Sequence, residues 1–303
     1  MGHLPDHLKG LLITTTGVLV LTPDSLLVRL IALDSWSMVF WRGFLIMIGL
    51  TLALAVYYRG ETLARFRAIG RTGVAAAALL AVSSVFFVLA LHNTSVANTL
   101  VIIAAAPLIA AILSRVFLGE AVPARTWAAI LAALTGILIL VSDGPRSGTL
   151  GGDLAALATA VGVAGAFTLV RRARTLNMVP AAALSGGFTA VAMLPIATPL
   201  AIAPGEVWLL LLLGLVVLPV SFGLITLGPR YLPAPEVALI MLLETVLGPF
   251  WVWLVLEETP GSRALVGGAI VIGALILHSL AALLAYRGRP RPLSQPAAEK
   301  ALD

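Results

Sequence analysis

Apolar residues fill this chain almost from end to end, in ten segments separated by short joints of polar or turn-forming residues. Each segment has about 20 apolar positions, the length of helix that crosses ~30 Å of hydrocarbon. The ten segments span residues 8–31, 35–58, 73–92, 96–118, 124–142, 153–175, 180–203, 207–229, 234–256 and 263–286. The pattern predicts an all-α, polytopic membrane protein with ten transmembrane helices.

The pattern of the first five segments returns in the last five. A shift of 138 positions carries the joint at 90–97 onto the joint at 228–235, and Glu120 onto Glu258, which both end a segment. Because each half has an odd number of segments, the second half would lie inverted relative to the first. Secondary transporters use such inverted repeats to build one central site with two alternating exits.

We therefore predict two inverted five-helix repeats, at residues 1–142 and 153–286. The remainder, 287–303, is polar and contains several prolines, and we expect a disordered cytoplasmic tail there. No segment has the composition of a soluble domain. The first apolar stretch lacks a cleavage site for signal peptidase, so we interpret it as a retained membrane span.

Composition and charge agree with a membrane protein. Of the 303 residues, 60% are hydrophobic and 11% are charged, whereas a soluble domain has about 25% charged residues. The net charge of +5 is spread over short joints, which indicates membrane topology rather than a nucleic-acid partner. With the N-terminus inside, fifteen Lys and Arg residues face the cytoplasm and three face outward. This bias predicts that both termini are cytoplasmic.

Signals for catalysis or for a bound cofactor are missing from the sequence. The chain has no Cys, which excludes disulfides, thiol catalysis and Cys-ligated metals. We find no nucleotide-binding loop, zinc-protease motif or nucleophile elbow. We therefore expect no cofactor, no metal and no enzymatic activity, and transport would be driven by a gradient of substrate or protons.

Motifs in both halves resemble the EamA-type repeat of the drug/metabolite transporter superfamily. In the first half they are Arg42, Leu89-Ala90-Leu91, Thr94, Val96, Ala97, Pro107, Leu118-Gly119-Glu120, Gly136 and Leu138-Ile139. In the second half they are Ala234 to Leu239, Leu243-Glu244, Leu256-Glu257-Glu258 and Gly267-Gly268. The second half departs from the family at Thr245, where Pro often follows the Glu. The resemblance implies a ten-helix bundle with a central cavity that exports metabolites from the cytoplasm.

A narrower resemblance is to the YddG-type exporters of aromatic amino acids. It is carried by the segments 219–223 and 228–233. It implies an exporter in a bacterial inner membrane, with aromatic and other neutral amino acids as substrates. We expect the protein to be a monomer in the lipid bilayer.

Charged residues within the predicted spans are candidates for function. Glu244 is the one acid deep in a span, and an ionised side chain at such a depth requires a partner or a water-filled cavity. It would serve as a proton site or bind a substrate ammonium; the alternative is a static pair with Arg42 or a fixed hydrogen bond between helices. Arg42 would bind a carboxylate or tie helices together.

Asp24 follows a break in the first span at Thr22-Pro23. Pro removes a backbone donor and interrupts the helix, and the exposed helix ends would then face a zwitterionic substrate. The alternative is that the span ends here and that Asp24 lies at the outer interface. Pro107 and Pro219 lie in mid-span and would be gating kinks or tolerated bends.

Hydroxyl and aromatic side chains within spans complete the candidate site. Small residues also allow close helix packing in lipid, which is the alternative explanation for each hydroxyl. The predicted substrate-binding residues are Thr15, Asp24, Ser83, Ser84, Phe87, Thr99, Phe167, Ser221, Phe222, Glu244 and Trp251, with Pro23, Pro107 and Pro219 as helix-break or gating residues. The sequence thus predicts an amino-acid exporter working by alternating access. Export of another metabolite or drug, a passive channel and an intramembrane enzyme stay open as alternatives.

Overall fold

The computed structural model describes residues 6–142, 149–199, 202–256 and 261–287. In these ranges all regular structure is helical, and no strand occurs. The α-helices are α1 (Asp6–Leu21), α2 (Asp24–Leu30), α3 (Ser35–Tyr58), α4 (Thr62–Ala68), α5 (Gly70–Asn93), α6 (Val96–Ile103), α7 (Ala106–Leu118), α8 (Ala124–Leu140), α9 (Leu150–Arg172), α10 (Val179–Met193), α11 (Val207–Leu211), α12 (Leu218–Tyr231), α13 (Ala234–Leu256) and α14 (Ser262–Arg287).

Each of the ten predicted spans contains one helix or a series of helices in line. Among the described residues, eight helical runs are long and apolar enough to cross a membrane. The other two segments form the shorter apolar helices α8 and α10. The prediction of an all-helical membrane protein is confirmed, while the count of ten crossings stays a prediction. Glu258 and the tail from residue 288 lie outside the described residues.

Proline marks the places where spans are interrupted. The first span breaks at Thr22-Pro23 between α1 and α2. Pro107 is in the first turn of α7, after a turn that separates it from α6. Pro219 is the second residue of α12, which directly follows a π-helical stretch, Leu212–Val217. Since Pro lacks the backbone donor and is tolerated in a first helical turn, Pro23 and Pro107 lie where a new helix starts. Pro219 instead lies within a continuous helical run, directly after its π-helical stretch.

The two halves of the chain pack against each other through matching helix pairs. We call α1–α8 the first half and α9–α14 the second half. Helix α5 packs on α9 as α12 packs on α1, and α7 packs on α9 as α13 packs on α1. Helix pairs α3–α10, α7–α13 and α8–α14 each join one member of each half. Exchanging the halves therefore reproduces the pattern of contacts.

Contacts between joints divide the bundle into two ends. At one end the side chain of Arg171, near the end of α9, donates to Glu120 just after α7, at 2.8 Å. At the other end Thr94 donates to Asp153, also at 2.8 Å, joining the end of α5 to the start of α9. The arginine-rich joints before α5 and after α9 lie with Arg171 at the first end, which we call the basic end.

The other end is tied by the joint that precedes α3. Asp34 caps α3, and its Oδ1 accepts hydrogen bonds from the backbone of Trp36 and Ser37, both at 3.0 Å. Its Oδ2 accepts from the Thr198 hydroxyl in the second half at 3.1 Å. Hydrogen bonds from Ser37 lower the pKa of Asp34 below its ordinary value. Asp34 therefore stays a carboxylate and holds the two halves together at this end.

Candidate functional site

A cavity of about 260 Å³ lies in the interior between α3, α5, α6, α9, α10, α12 and α13. It therefore receives side chains from both halves of the chain. Two lining residues are charged, Arg42 and Glu244. The aromatic lining residues are Phe87, Phe167 and Phe222, and the hydroxyl-bearing ones are Ser83, Ser84, Thr159, Ser185, Thr189 and Thr226. Apolar walls with a few convergent polar groups are typical of small-molecule sites.

The two charged groups of the cavity have different surroundings. Arg42 forms an ion pair with Asp24 through its Nη1, and Asp24 is buried at the start of α2. Glu244 interacts electrostatically with both Asp24 and Arg42. Within the described ranges, however, Glu244 has no hydrogen bond or ion pair. The alternative of a static Glu244–Arg42 pair does not describe this structure, because Asp24 is the partner of Arg42.

The break in the first span is held in place by a helix of the second half. The Thr22 hydroxyl donates to the carbonyl of Leu19 at 2.8 Å and accepts from the indole Nε1 of Trp251 at 2.9 Å. These bonds satisfy polar groups that the broken helix would leave unpaired in an apolar region. The break therefore positions Asp24, and through it the guanidinium of Arg42.

Most hydroxyls of the cavity wall donate to their own helix. Ser83 donates to Leu79 O at 2.7 Å, and Thr159 donates to Ala155 O at 3.0 Å. Thr189 donates to the carbonyl of Ser185 at 2.9 Å. A hydroxyl that donates in this way keeps lone pairs free for a second partner. The wall thus offers hydroxyl oxygens as acceptors toward the cavity, while the hydroxyl donors are already paired with backbone carbonyls.

Helix α10 supplies a wall that the sequence analysis missed. A Cβ atom at Gly186 would lie 2.5 Å from Gly43 O, so α3 and α10 touch backbone to backbone. This contact places Ser185 and Thr189, one turn apart on α10, at the cavity. The signal in the sequence was a hydroxyl pair at i and i+4 beside a glycine, within a helix that otherwise reads as apolar.

The predicted site residues fall into two groups. Ser83, Ser84, Phe87, Phe167, Phe222 and Glu244 are brought together around the cavity. Thr15, Asp24, Thr99, Ser221 and Trp251 lie outside its lining, as do Pro23, Pro107 and Pro219. Thr99 and Ser221 are fully buried and donate to backbone carbonyls of their own helices, Ser95 O and Leu218 O. The structure therefore gives these two hydroxyls a packing position.

At the basic end, Arg171 joins three elements below the cavity. Besides Glu120, it donates from Nη1 to the carbonyl of Pro229 at 3.2 Å. It is one helical turn from Phe167, a cavity residue on the same face of α9. Arg171 therefore ties α9 to the end of α7 and to α12 at the basic end.

A second polar cluster ties α1, α13 and α14 at the basic end. Nε2 of His7 lies 2.8 Å from one oxygen of Glu236, and Nε2 of His278 lies 3.6 Å from the other. Two His and one Glu are a ligand set that zinc enzymes use, so the arrangement of the three side chains decides whether a metal could bind. Across the described ranges no group of three or more His, Cys, Asp or Glu side chains is arranged to hold a metal ion.

Comparisons with known proteins agree with this architecture. No curated protein matches the chain significantly. Among solved structures, 29 chains match. One of them, a crystal structure, superposes with a TM-score of 0.78 at 19% identity, and the match covers 91% of this chain and 99% of the other chain. At that identity the likeness shows the fold alone.

The sequence itself matches a family model twice, once in each half. The model is described as the EamA-like transporter family and matches residues 9–142 and 150–280. Together the two matches cover most of the chain. The protein therefore belongs to the EamA-like transporter family and is a multi-pass membrane transporter of the drug/metabolite superfamily.

Proposed function

We propose that this protein exports amino acids, aromatic ones included, from the cytoplasm across a bacterial inner membrane. The single observation that carries the proposal is the presence of both Arg42 and Glu244 on the wall of one interior cavity. A free amino acid carries one carboxylate and one ammonium on the same carbon. A guanidinium and a carboxylate facing a shared space complement those two charges.

The aromatic part of the preference comes from the remaining wall. Phe87, Phe167 and Phe222 line the same cavity. Aromatic rings favour an aromatic side chain through offset-stacked and edge-to-face contacts, beyond the area they bury. The cavity of about 260 Å³ suits one small molecule rather than a larger drug. Aromatic and other neutral amino acids therefore fit its size, charge and apolar surface.

The proposed mechanism is alternating access between two inverted repeats. The cavity receives residues from both halves, and exchanging the halves reproduces the helix contacts. Ten crossings with cytoplasmic termini would put the basic end at the cytoplasm, as the positive-inside rule requires. Substrate would then enter by release of the Arg171 contacts and leave by separation of the opposite end, where Asp34 and Thr198 meet.

Uptake into proteoliposomes tests the proposal. Purified protein is reconstituted, and saturable uptake and counterflow are measured for all twenty amino acids, with and without a pH gradient. We expect saturable counterflow of unmodified phenylalanine and of several neutral amino acids. Counterflow with other metabolites but no amino acid would overturn the substrate assignment. Uptake that never saturates would indicate a channel, and a chemically altered product would indicate an enzyme.

A further inference from the structure

Helix α4 is a short helix on the surface of the protein. It lies between two residues with positive φ, Arg59 at 51° and Gly70 at 56°, where the chain reverses direction. None of its residues is buried, and Leu63 is 61% exposed. An exposed helix that combines apolar and basic side chains at the end of a membrane bundle is typical of an interfacial helix.

Two surface cavities form one groove that begins at α4 and continues along α5. The lower part, of about 560 Å³, is lined by Arg67, Arg71 and Val74 and reaches Ala78. The upper part, of about 440 Å³, starts at the same Ala78 and continues to Phe188 of α10. Above the two arginines the lining is apolar throughout.

The length of the groove matches an acyl chain. From Arg71 to Val85, which lines the upper part, α5 rises about 21 Å at 1.5 Å per residue. One leaflet of the bilayer is about 15 Å thick, half of the ~30 Å hydrocarbon core. The groove is therefore long enough to cross one leaflet, with the arginines at its polar end.

The charge at the mouth of the groove selects the headgroup. Arg67 and Arg71 both line the groove, and in the part of the chain that the structure describes neither has an ion-pair partner. Neighbouring Arg65 differs, because it pairs with Glu61 at 2.7 Å and lies over the ring of Tyr58. Two free guanidiniums favour a phosphate that carries net negative charge over a zwitterionic headgroup.

We propose that this groove is a binding site for an anionic phospholipid, with its phosphate on Arg67 and Arg71 and an acyl chain along α5 up to Phe188. The site lies outside the substrate cavity and requires only that the protein is in a membrane. A lipid held there would fix α4 against α5 and α10 at the basic end.

Native mass spectrometry of the detergent-purified protein tests the site, with phosphatidylglycerol and phosphatidylcholine of identical acyl chains as probes. We expect the wild type to retain phosphatidylglycerol preferentially. The double variant Arg67→Gln/Arg71→Gln should lose most of that preference, at about fivefold per arginine. The matched control Arg65→Gln should keep it, because Arg65 is held by Glu61.

A second arm tests the acyl-chain part of the site. Ala78→Phe adds a ring where the two parts of the groove meet, at an exposed position, so the fold should be retained and retention of both lipids should fall. Unchanged unfolding temperatures in lipid-free detergent would show that all variants are folded. Equal retention of the two lipids by the wild type would overturn the proposal. So would an equal loss in Arg65→Gln, or full retention in Ala78→Phe.

Discussion

At the scale of single residues, the two charged side chains that line the cavity differ in whether they have a partner. Arg42 is paired with Asp24, whereas Glu244 has no partner among the described residues. A charged side chain in the middle of a membrane helix costs about 2.5–3.5 kcal/mol on insertion scales. A protein that keeps such a group unpaired beside a cavity has an acceptor ready for a cation, either a substrate ammonium or a proton.

The substitution Glu244→Gln should therefore weaken amino-acid binding without unfolding the protein. A hydrogen bond to a charged group contributes about 1.5–3 kcal/mol, which corresponds to an affinity loss of about tenfold or more. Asp24→Asn is the matched contrast, because it removes the partner of Arg42 and should lower the unfolding temperature. Binding is measured by equilibrium binding of labelled phenylalanine. Normal affinity with reduced thermal stability in Glu244→Gln would instead indicate a structural carboxylate.

Bulky substitutions at two serines separate the cavity from the packed interior. Ser84 lines the cavity, so Ser84→Trp should occupy the substrate volume and abolish export while the protein stays in the membrane. Ser221 is fully buried outside the lining, so Ser221→Trp should overpack the bundle and reduce the amount of folded protein. Resistance of cells to toxic amino-acid levels, with membrane expression quantified, measures both. Full export by Ser84→Trp would show that the pathway runs elsewhere.

At the scale of helices, breaks and close crossings decide where polar groups are placed. The break between α1 and α2 positions Asp24, and the contact of α3 with α10 brings Gly43 against Gly186. Small residues on both helices at a crossing allow such a close approach in lipid. The hydroxyls of α10 reach the cavity because of that approach.

Adding one methyl group at this crossing should be costly. Gly186→Ala would put its Cβ 2.5 Å from the carbonyl oxygen of Gly43, and overpacking of this kind costs about 1–3 kcal/mol. Gly273→Ala is the control, since a Cβ there meets nothing within 4 Å and Ala favours a helix. Thermal unfolding in detergent should show a lower midpoint for Gly186→Ala and an equal or higher one for Gly273→Ala. Equal midpoints would mean that the helices separate easily at this crossing.

At the scale of the whole molecule, the bundle is defined by the pairing of its halves. Every strong helix contact has a counterpart when the halves are exchanged, and contacts between joints sort the chain into two ends. Basic residues concentrate at one of them, and by the positive-inside rule we predict that this end faces the cytoplasm. An orientation derived in this way makes a direct prediction about which loops are accessible from each side.

Single cysteines in this Cys-free chain test the orientation. Arg65→Cys lies in the exposed helix α4 at the basic end, and Gly205→Cys lies in the joint before α11 at the other end, where a Cβ meets nothing. We expect a membrane-impermeant thiol reagent applied to intact cells with a permeable outer membrane to label Gly205→Cys alone. Labelling of Arg65→Cys in disrupted cells serves as the control. Labelling of both in intact cells would contradict cytoplasmic placement of the basic end.

The hydrophobic pattern alone determined the class of this protein. An apolar run of about 20 residues in a bilayer must satisfy its own backbone hydrogen bonds, and an α-helix does so within the run. The doubling of the pattern and the motifs around Glu120 and Glu244 indicated the transporter family, which the family model confirms. The sequence also singled out Ser84, Phe167 and Phe222, because they are polar or aromatic positions in otherwise uniform spans, and the structure places all three on the cavity wall.

Tertiary structure decided which faces of those spans meet. Every span is apolar all round, so periodicity cannot tell a cavity face from a packing face, and Thr99 and Ser221 look in sequence like Ser84. Helix rotation and crossing distance separate them: the Gly43–Gly186 contact turns Ser185 and Thr189 to the cavity, while Ser221 packs away from it. The partner of Arg42 was decided in the same way, because the break at Pro23 brings Asp24 to it. Glu244 is left facing the cavity without a partner among the described residues.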